Sequence, residues 1–497
     1  MNGNYRDPVF KVIIVGAGVG GLTLAHALHK AGIDYAVLDK HPVAPAWGAS
    51  ITIHPSASRI LHQIGCLEEV DSRCEPMTSF SNRGPDGKEF MVGPFFDTIN
   101  NKNGYSTYTL ARQDFLQILY DALPDKTKVF ENARVVDVIE ENGSVRAILD
   151  DGTVHAGDVI VGFDGVHSAV RALMWEKAAK QSPGLFTVQE KQSIKTSYNC
   201  LLGVAPPQPS LGRARMTNVS NDKFSFLFLS QPDALYFIIH CKLPGDRVIT
   251  WPDRAHYTAA DAEAKAAELA SYPVSDEIVF GDIWRSRIRG HLVSLEEGIL
   301  SRWFYGRTVL AGDSAHKVTP NAAFGGFLAM EDAVVLANEL HAAVARHPNK
   351  KPSETELGAA LHRYQEERVK RAKEIMVPSW LVTRLQAYDG WPYYIIQRWI
   401  LPIVGLGVIA NGVADSCSAA PKLDYVPLPD EKKGTLPWKY KSPAAKGNGA
   451  AEKKPAATKG YDSLIVPVVL STMALYFVAV WALAGRGVRV PLLRISP

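Results

Sequence analysis

The chain has 497 residues, of which 46% are hydrophobic and 21% are charged, and its formal net charge is +3. This composition is typical of a folded protein of two or three domains and excludes a mainly disordered or collagen-like chain. The small net charge gives no indication of nucleic-acid binding. The five cysteines form no CxxC pair, which argues against a disulfide framework or a bound metal such as zinc.

The first element predicted along the chain is a strand, a glycine-rich turn and a helix. The β-branched run KVIIV leads into Gly16, Gly18 and Gly21, which form a GxGxxG pattern before a helical stretch. Gly16 permits the turn, Gly18 lets the backbone approach a pyrophosphate, and Gly21 allows close packing of helix and strand. A second strand ends at Asp39, where a carboxylate can accept from ribose hydroxyls. The pattern predicts an adenine dinucleotide without separating FAD from NAD, the alternative being a turn without a ligand.

Two later segments repeat the order of buried strand, turn and helix start. Asp164 and Gly165 follow the run DVIVGF, and Ser168 is suited to cap the next helix. Gly312 and Asp313 follow the run RTVLA and precede a loop and another helix. Both segments are therefore predicted to place a carboxylate beside the N-terminus of a helix.

The three segments, taken in this order, resemble the GxGxxG, DG and GD motifs of group A FAD-dependent monooxygenases with the p-hydroxybenzoate hydroxylase fold. The resemblance covers about residues 10–430. The later stretch KLDYVPLP is most similar to the fungal branch that epoxidises prenyl chains in meroterpenoid and indole-diterpene pathways. The chain has no second GxGxxG pattern, so the resemblance implies that NADPH or NADH binds without a Rossmann domain of its own.

The resemblance implies FAD-binding roles for ten residues spread along the chain. They are Gly16, Gly18, Gly21, Asp39, Gly48, Arg112, Asp164, Asp313, Gly325 and Gly326. The glycine turn would hold the pyrophosphate, and Asp39 the adenosine ribose. Arg112 would bind phosphate or ribityl oxygens, Asp164 would lie by the pyrophosphate and the approaching NADPH, and Asp313 would bind ribityl hydroxyls. The resemblance names no catalytic acid or base and no metal ligand.

One loop departs from the pattern of the family. After Pro320 the family usually has a glycine-rich loop ending in Asn, but this chain has Ala323, Phe324 and Phe327 where Gly, Gln and Asn are usual. Phenyl rings form no hydrogen bonds of that kind. We therefore expect either a more apolar flavin pocket or altered oxygen activation and flavin mobility.

The segments together predict an α/β fold in which a Rossmann-type FAD-binding domain interleaves with a mainly β substrate domain. C-terminal helices and one transmembrane helix are expected to follow. The predicted boundaries are 10–75, 105–175 and 300–345 for the FAD-binding domain, 76–104 and 176–299 for the substrate domain, 346–430 for the helical region, 431–463 for a basic flexible linker, and 464–484 for the anchor.

The predicted anchor, residues 464–484, contains no charged residue. At about 1.5 Å per residue it would span roughly 30 Å, the hydrocarbon thickness of a bilayer. Residues 431–460 hold eight lysines and two acidic residues, so the positive excess lies in the tail and residues 1–430 are slightly acidic. Both flanks of the anchor are basic, which leaves its orientation open by charge. A single-pass protein with a cytosolic catalytic domain, in the endoplasmic reticulum membrane, is expected.

The function predicted from these features is an FAD- and NAD(P)H-dependent monooxygenase that epoxidises an olefin of an apolar prenylated intermediate in fungal secondary metabolism. By the resemblance, hydride reduces the flavin, O2 adds at flavin C4a, and one oxygen passes to the alkene. A membrane anchor suits such a lipid-like substrate. Two alternatives stay open: a flavin-linked reductase or oxidase of a prenyl chain, and a non-catalytic or cyclase-like protein on a decayed flavin scaffold.

Overall fold

A mainly parallel sheet forms around the first predicted strand, Lys11–Val15, in the computed structural model, which describes residues 10–322, 325–347 and 351–440. Four of the five residues of this strand are buried, as expected for a central strand of a parallel sheet. In order across the sheet, the described strands are Phe304–Tyr305, Thr308–Leu310, Val159–Gly162, Lys11–Val15, Asp34–Leu38 and Val129–Phe130.

The three motif turns meet at one edge of this sheet. Strand Lys11–Val15 pairs in parallel with Val159–Gly162, which pairs in parallel with Thr308–Leu310. Because parallel strands end on the same side, the GxGxxG, DG and GD turns all leave the sheet side by side. Ligands of open α/β sheets bind at this carboxyl edge, so the fold brings together motifs that lie far apart in the sequence.

A second, larger sheet lies beside the first. Its outer face packs on helices Ala259–Leu269 and Phe280–Ser286, and its inner face packs on Ala49 and on helix Phe95–Asn103. Strand His316–Lys317, the last in the order below, lies within residues 300–345, which were predicted to belong to the FAD-binding domain. Within the described residues the order is Glu89–Gly93, Ser79–Arg83, Arg215–Asn221, Phe224–Ser230, Leu235–Lys242, Lys195–Ala205 with Ile249–Thr250 beside it, Arg289–Ile299 and His316–Lys317.

The remaining strands form two small sheets, and helices fill the rest of the described chain. The small sheets consist of Val135–Glu141 with Ser144–Leu149 and Val154–Gly157, and of Ser50–Ile53 with Tyr108–Ala111. The other α-helices are Val19–Lys30, Pro55–Ile64, Leu67–Arg73, Arg112–Asp121, Ala169–Gln181, Val188–Lys191, Gly325–Ala345, Glu354–Gln386, Trp391–Ile395, Leu401–Val404 and Leu406–Ser418.

The first ten residues of the predicted linker, 431–440, contact the body of the protein. Glu431 accepts a hydrogen bond from Arg59 Nε at 2.7 Å, and Leu436 N donates to Lys102 O at 2.8 Å. The Trp438 ring lies 4.2 Å from the Arg59 guanidinium. These contacts fix residues 431–440 to the body in spite of their lysine-rich sequence. The rest of the predicted linker and the predicted anchor lie outside the described residues.

Among the residues that the structure describes, no single helix has the length and hydropathy to cross a membrane. Trp391–Val404 and Leu406–Ser418 reach the required length and hydropathy only together, and they are bent by 88° at their junction. The transmembrane helix predicted at 464–484 lies outside the described residues and stays a prediction.

Two buried carboxylates hold the carboxyl edge of the first sheet to the helices behind it. Glu331 and Asp332, on helix Gly325–Ala345, are fully buried. Arg368 binds Asp332 Oδ1 through Nε at 2.6 Å and Glu331 Oε2 through Nη1 at 2.8 Å. Asp332 Oδ2 also accepts from Gly312 N and lies beside His316 Nε2, both at 2.7 Å. Burial raises the pKa of both carboxyls, but Arg371 and Arg368 outweigh it at Glu331, and His316 and Arg368 outweigh it at Asp332. Each pKa is therefore held below its usual range.

Replacing Arg368 is expected to destabilise the folded protein. Arg368→Leu leaves both buried carboxylates short of a partner, which costs about 3–5 kcal/mol. Urea denaturation of the variant should show a free energy of unfolding lower by about that amount. Arg363→Leu, on the same helix, removes a partly exposed partner of Glu339 and should cost under about 1 kcal/mol. Equal losses in the two variants would contradict the role given to Arg368.

Candidate functional site

The glycine-rich turn is packed so closely that larger residues do not fit. Gly16 has a φ of +110°, and a Cβ there would lie 2.4 Å from Phe163 O. A Cβ on Gly21 would lie 1.9 Å from Gly16 O. The two glycines therefore let the turn pass between the first helix and the strand that carries the DG motif.

Gly18 lies at the open side of the same turn. It is the N-cap of helix Val19–Lys30, which has no side-chain cap and no acidic residue in its first turn. A Cβ on Gly18 would have no atom within 4 Å. The first N–H groups of the helix, which have no intrahelical partners, are thus left to an anion that approaches Gly18. This cradle fits a pyrophosphate.

Asp39 faces the turn from the end of the second strand. Its Oδ2 accepts a hydrogen bond from Ala17 N at 2.6 Å, and its Oδ1 accepts one from His41 N at 2.9 Å. Each carboxylate oxygen has a further acceptor site. Asp39 is therefore positioned for the ribose contact that the resemblance implies.

Arg112 approaches the turn from the N-terminus of helix Arg112–Asp121. Its backbone N donates to Ala49 O at 3.2 Å, and its Cδ would lie 3.5 Å from a Cβ on Gly48, whose φ is +83°. Burial lowers the pKa of Arg112, while the charges of Asp313 and Asp39 raise it. No hydrogen bond joins its guanidinium to another described residue. A half-buried fork of five donors without a partner fits a phosphate or ribityl oxygen.

Asp164 lies at the start of helix Ala169–Gln181, whose N-cap is the predicted Ser168. Its Oδ2 accepts from Val170 N at 3.0 Å. Its Oδ1 is buried and has no hydrogen-bond donor among the described residues. Burial raises the pKa of this carboxyl, and the nearby Ser168 hydroxyl and helix N–H groups oppose the rise. Since buried acceptors are nearly always satisfied, the free oxygen indicates a ligand hydroxyl or amide.

Asp313 forms an ion pair with Lys317, four residues later, and both side chains are about one-third exposed or less. Burial lowers the pKa of Lys317, but Asp313 outweighs this effect and the pKa is raised. Lys317 also reaches the larger sheet, because its strand pairs with Gly298. The sequence reasoning missed this lysine, although its spacing of four residues from Asp313 is a usable signal. A ribityl hydroxyl at Asp313 would share the carboxylate with Lys317.

The last two predicted glycines begin helix Gly325–Ala345. A Cβ on Gly326 would lie 2.7 Å from Ile51 Cδ1, while one on Gly325 would come no closer than 3.9 Å to Val318. Phe327 is buried, with its ring edge-on to His54 at 5.5 Å. Ala323 and Phe324 lie outside the described residues, so the expected effect of the altered loop stays a prediction.

A buried polar row crosses the inner face of the larger sheet, and the sequence reasoning missed it. The register pairs His240 with Cys200 and with Ser225, and Ser225 with Ser220. His240 is fully buried, which lowers its pKa to about 3 and keeps the imidazole neutral. Its Nδ1 lies 3.2 Å from Nδ2 of Asn321, in the loop after the GD motif. Its Nε2 has no partner among the described residues.

Beside this row the face is apolar. Leu202 and Leu227 stand opposite Ile238 on the two flanking strands. Leu202 and Ile238 are only half-buried although they lie in central strands, so both face open space. The same face packs on Ala49 and Ala111, which flank the Gly48 and Arg112 positions. The partly exposed apolar surface at Leu202 and Ile238, which we name the apolar cleft, thus belongs to the face that packs on the residues beside the proposed FAD site.

The parallel sheet, the uncapped glycine turn and the three motif carboxylates at one edge define a dinucleotide-binding protein of the α/β class. The family described as FAD binding domain matches residues 9–378. A solved structure of HpxO from Klebsiella pneumoniae, complexed with FAD and uric acid, has a similar fold. The TM-score is 0.68 at 21% identity, over 84% of this chain and 100% of that one.

Curated relatives are more similar in sequence. The FAD-dependent monooxygenase DEP2 of Fusarium langsethiae is 52% identical over 435 residues, 87% of this chain and 83% of the relative. The FAD-dependent monooxygenase ausM of Penicillium brasilianum is 36% identical, over 87% of this chain and 90% of the relative. The chain belongs to this family, the group A flavin monooxygenases of fungal secondary metabolism.

Gly18→Ala is expected to weaken FAD binding without unfolding the protein. The new Cβ meets no protein atom, but it occupies the approach to the helix N-terminus, so the FAD dissociation constant should rise about tenfold. Gly358→Ala also meets no atom and provides the matched control. Flavin absorbance after dialysis, with the melting temperature of each apoprotein, measures the effect. Equal flavin retention in the two variants would contradict the cradle.

Proposed function

We propose that the chain uses FAD and NADPH or NADH to epoxidise an olefin of an apolar prenylated intermediate. The observation that carries the proposal is the apolar inner face of the larger sheet, where half-buried Leu202 and Ile238 face open space beside the FAD site. When bound, FAD supplies the redox chemistry that activates O2 and delivers one oxygen atom. An isolated olefin offers no polar group, so shape and apolar contact would position it.

The residues of the cleft would hold the substrate and exclude water. Leu202 and Ile238, which stand opposite each other on neighbouring strands and are partly exposed, form an apolar stripe that suits an isoprenoid chain. Neutral His240 has a free ring nitrogen next to this stripe. Since a neutral imidazole nitrogen either donates or accepts a hydrogen bond, it is suited to a hydroxyl or carbonyl at the polar end of a prenylated substrate. A dry cleft also protects reactive oxygen species from side reactions.

A groove beside the DG turn supports NADPH or NADH as the reductant. It is open to solvent and is lined by His167, Arg171, Lys191, Trp251 and Arg254. Burial and the guanidinium groups of Arg254 and Arg171 lower the pKa of His167 to about 4. Arg171, Lys191 and Arg254 bring three cationic side chains to the groove, against two carboxylates from Asp253 and Glu296. The cationic side chains are suited to bind phosphates.

Aromatic rings complete the groove. Trp175 and Trp251 meet edge to face with centroids 6.1 Å apart, and the Lys191 ammonium lies 5.6 Å and 5.2 Å from their respective centroids. The Trp251 ring, which is exposed, is suited to stack on a nicotinamide or adenine base, whereas Trp175 is buried. Arg171 Nη1 donates to Ser314 O at 2.9 Å, next to Asp313, so the groove adjoins the proposed FAD site.

Charge removal in the groove is expected to weaken NADPH binding. In Lys191→Ala and Arg254→Ala, the NADPH dissociation constant from anaerobic flavin-reduction kinetics should rise roughly tenfold, because one charge-assisted contact is lost in each. Lys180→Ala, which removes an exposed partner of Glu176, should leave it unchanged. An unaltered constant in both groove variants would remove this support for NAD(P)H.

Isotope labelling tests the reaction itself. The holoenzyme, NADPH and a panel of prenylated aromatic or polyketide precursors under ¹⁸O2 should give a product that has gained one ¹⁸O atom and contains an epoxide. A hydrogenated or desaturated product without label would instead establish the reductase or oxidase alternative. A protein that purifies without flavin absorbance, and rearranges the substrate with no oxidant, would establish the cyclase-like alternative.

We also propose that residues 464–484 anchor the protein in the endoplasmic reticulum membrane with the catalytic body in the cytosol. Their lack of charge over a bilayer-spanning length supports this proposal. A substrate with an isoprenoid chain partitions into the same bilayer, so an anchored enzyme would meet it at high local concentration.

A further inference from the structure

An exposed apolar surface lies on the bent helical segment near the end of the described chain. Ile403 is 86% exposed, and Trp391 and Trp399 are each 57% exposed. We name this surface the aromatic face, and it consists of Trp391, Tyr394, Ile395, Trp399, Ile403 and Val408. Isolated exposed apolar residues are ordinary, but a contiguous set on one segment indicates an interaction site.

The segment is almost free of charge. Between residues 391 and 410, Arg398 is the one side chain that is charged at neutral pH. Its guanidinium lies 4.7 Å from the centre of the Phe90 ring and 5.1 Å from that of Trp399. An arginine whose guanidinium lies beside aromatic rings is suited to bind a phosphate at the edge of an apolar medium.

The opposite side of the segment is fixed to the body. Gln397 is buried and donates from Nε2 to Asn82 Oδ1 at 3.0 Å. Beyond the bend at Gly405, Ala410 and Ala414 are buried in the cluster that forms the inner face of the larger sheet. The segment is therefore amphipathic, with one side part of the core and the other side presenting the aromatic face outward.

We propose that the aromatic face lies in the headgroup region of a phospholipid bilayer. Trp and Tyr, with an adjacent arginine, are the residues that membrane interfaces favour. The 88° bend excludes a straight span, whereas a bent, one-sided segment suits a surface contact. The chain outside the structure supports the same occupant: 464–484 is charge-free, and the stretch 441–463 is at most about 80 Å long when fully extended. With 464–484 in the bilayer, this tether would keep the aromatic face close to the same membrane. A weak contact of the aromatic face is then enough to hold it there.

The contact has a consequence for the substrate, which rests on the proposed function. Gln397 links the segment to Asn82, and Asn82 pairs with Asn218 on the same inner face that carries Leu227 and Ile238. A prenyl chain that leaves the bilayer beside the aromatic face would therefore reach the apolar cleft along one continuous side of the sheet.

Site-specific fluorescence on the full-length holoprotein tests the bilayer contact independently of any substrate. An environment-sensitive fluorophore is attached to Ile403→Cys, in a Cys74→Ser background because the other four cysteines are buried. The control is Val154→Cys, which lies on the small three-stranded sheet and is also exposed. The probe is vesicles of phosphatidylcholine and phosphatidylserine whose acyl chains carry bromine as a quencher.

The label at position 403 should shift to the blue and be quenched at least about twofold more than the label at 154. Equal quenching at the two positions, or quenching at neither, overturns the proposal. A blue shift that depends on protein concentration without vesicles overturns it in favour of a second copy of the chain. None of these outcomes requires epoxidation, so failure of the contact and failure of the proposed function are distinguishable.

Discussion

The ionic contacts of Asp332 are the constraint on which the candidate site depends. This carboxylate is fully buried, so it is stable only while its donors stay in place. One donor is the backbone of Gly312, another is His316, and the third is Arg368 on the long helix that follows. The arrangement fixes the GD turn relative to two helices at once. The contacts of Asp332 thereby also fix the positions of Asp313 and Lys317, which follow Gly312 and His316 in the chain.

The same edge of the sheet sets the chemistry of the site. Its backbone turns present N–H groups, while Asp39, Asp164 and Arg112 present charged groups whose partners within the described chain are incomplete or absent. The inner face of the larger sheet is different in character, because half-buried Leu202 and Ile238 are apolar and the buried His240 is held neutral. A charged edge that suits a dinucleotide thus lies beside a largely apolar face.

The local parts of this arrangement could be predicted from sequence, and the long-range parts could not. The glycine turn and the DG and GD segments are each encoded within about a dozen residues, so their strand–turn–helix form was predicted and their family is confirmed. His240 acquires its surroundings only from the register of three neighbouring strands. Residues 431–440 were predicted as linker because their composition is hydrophilic. What holds them is Arg59, 372 positions earlier, which no local pattern reveals.

That long connection also bears on how the protein is made. Tyr425 donates to Ala27 O, and Gln63 exchanges hydrogen bonds with Leu423, across separations of about 400 and 360 residues. Contacts between residues so far apart in the sequence form late, because the intervening chain must first be synthesised and ordered. The N-terminal half therefore cannot complete its packing until translation has passed residue 431, and the emerging polypeptide would need chaperone protection for most of its synthesis.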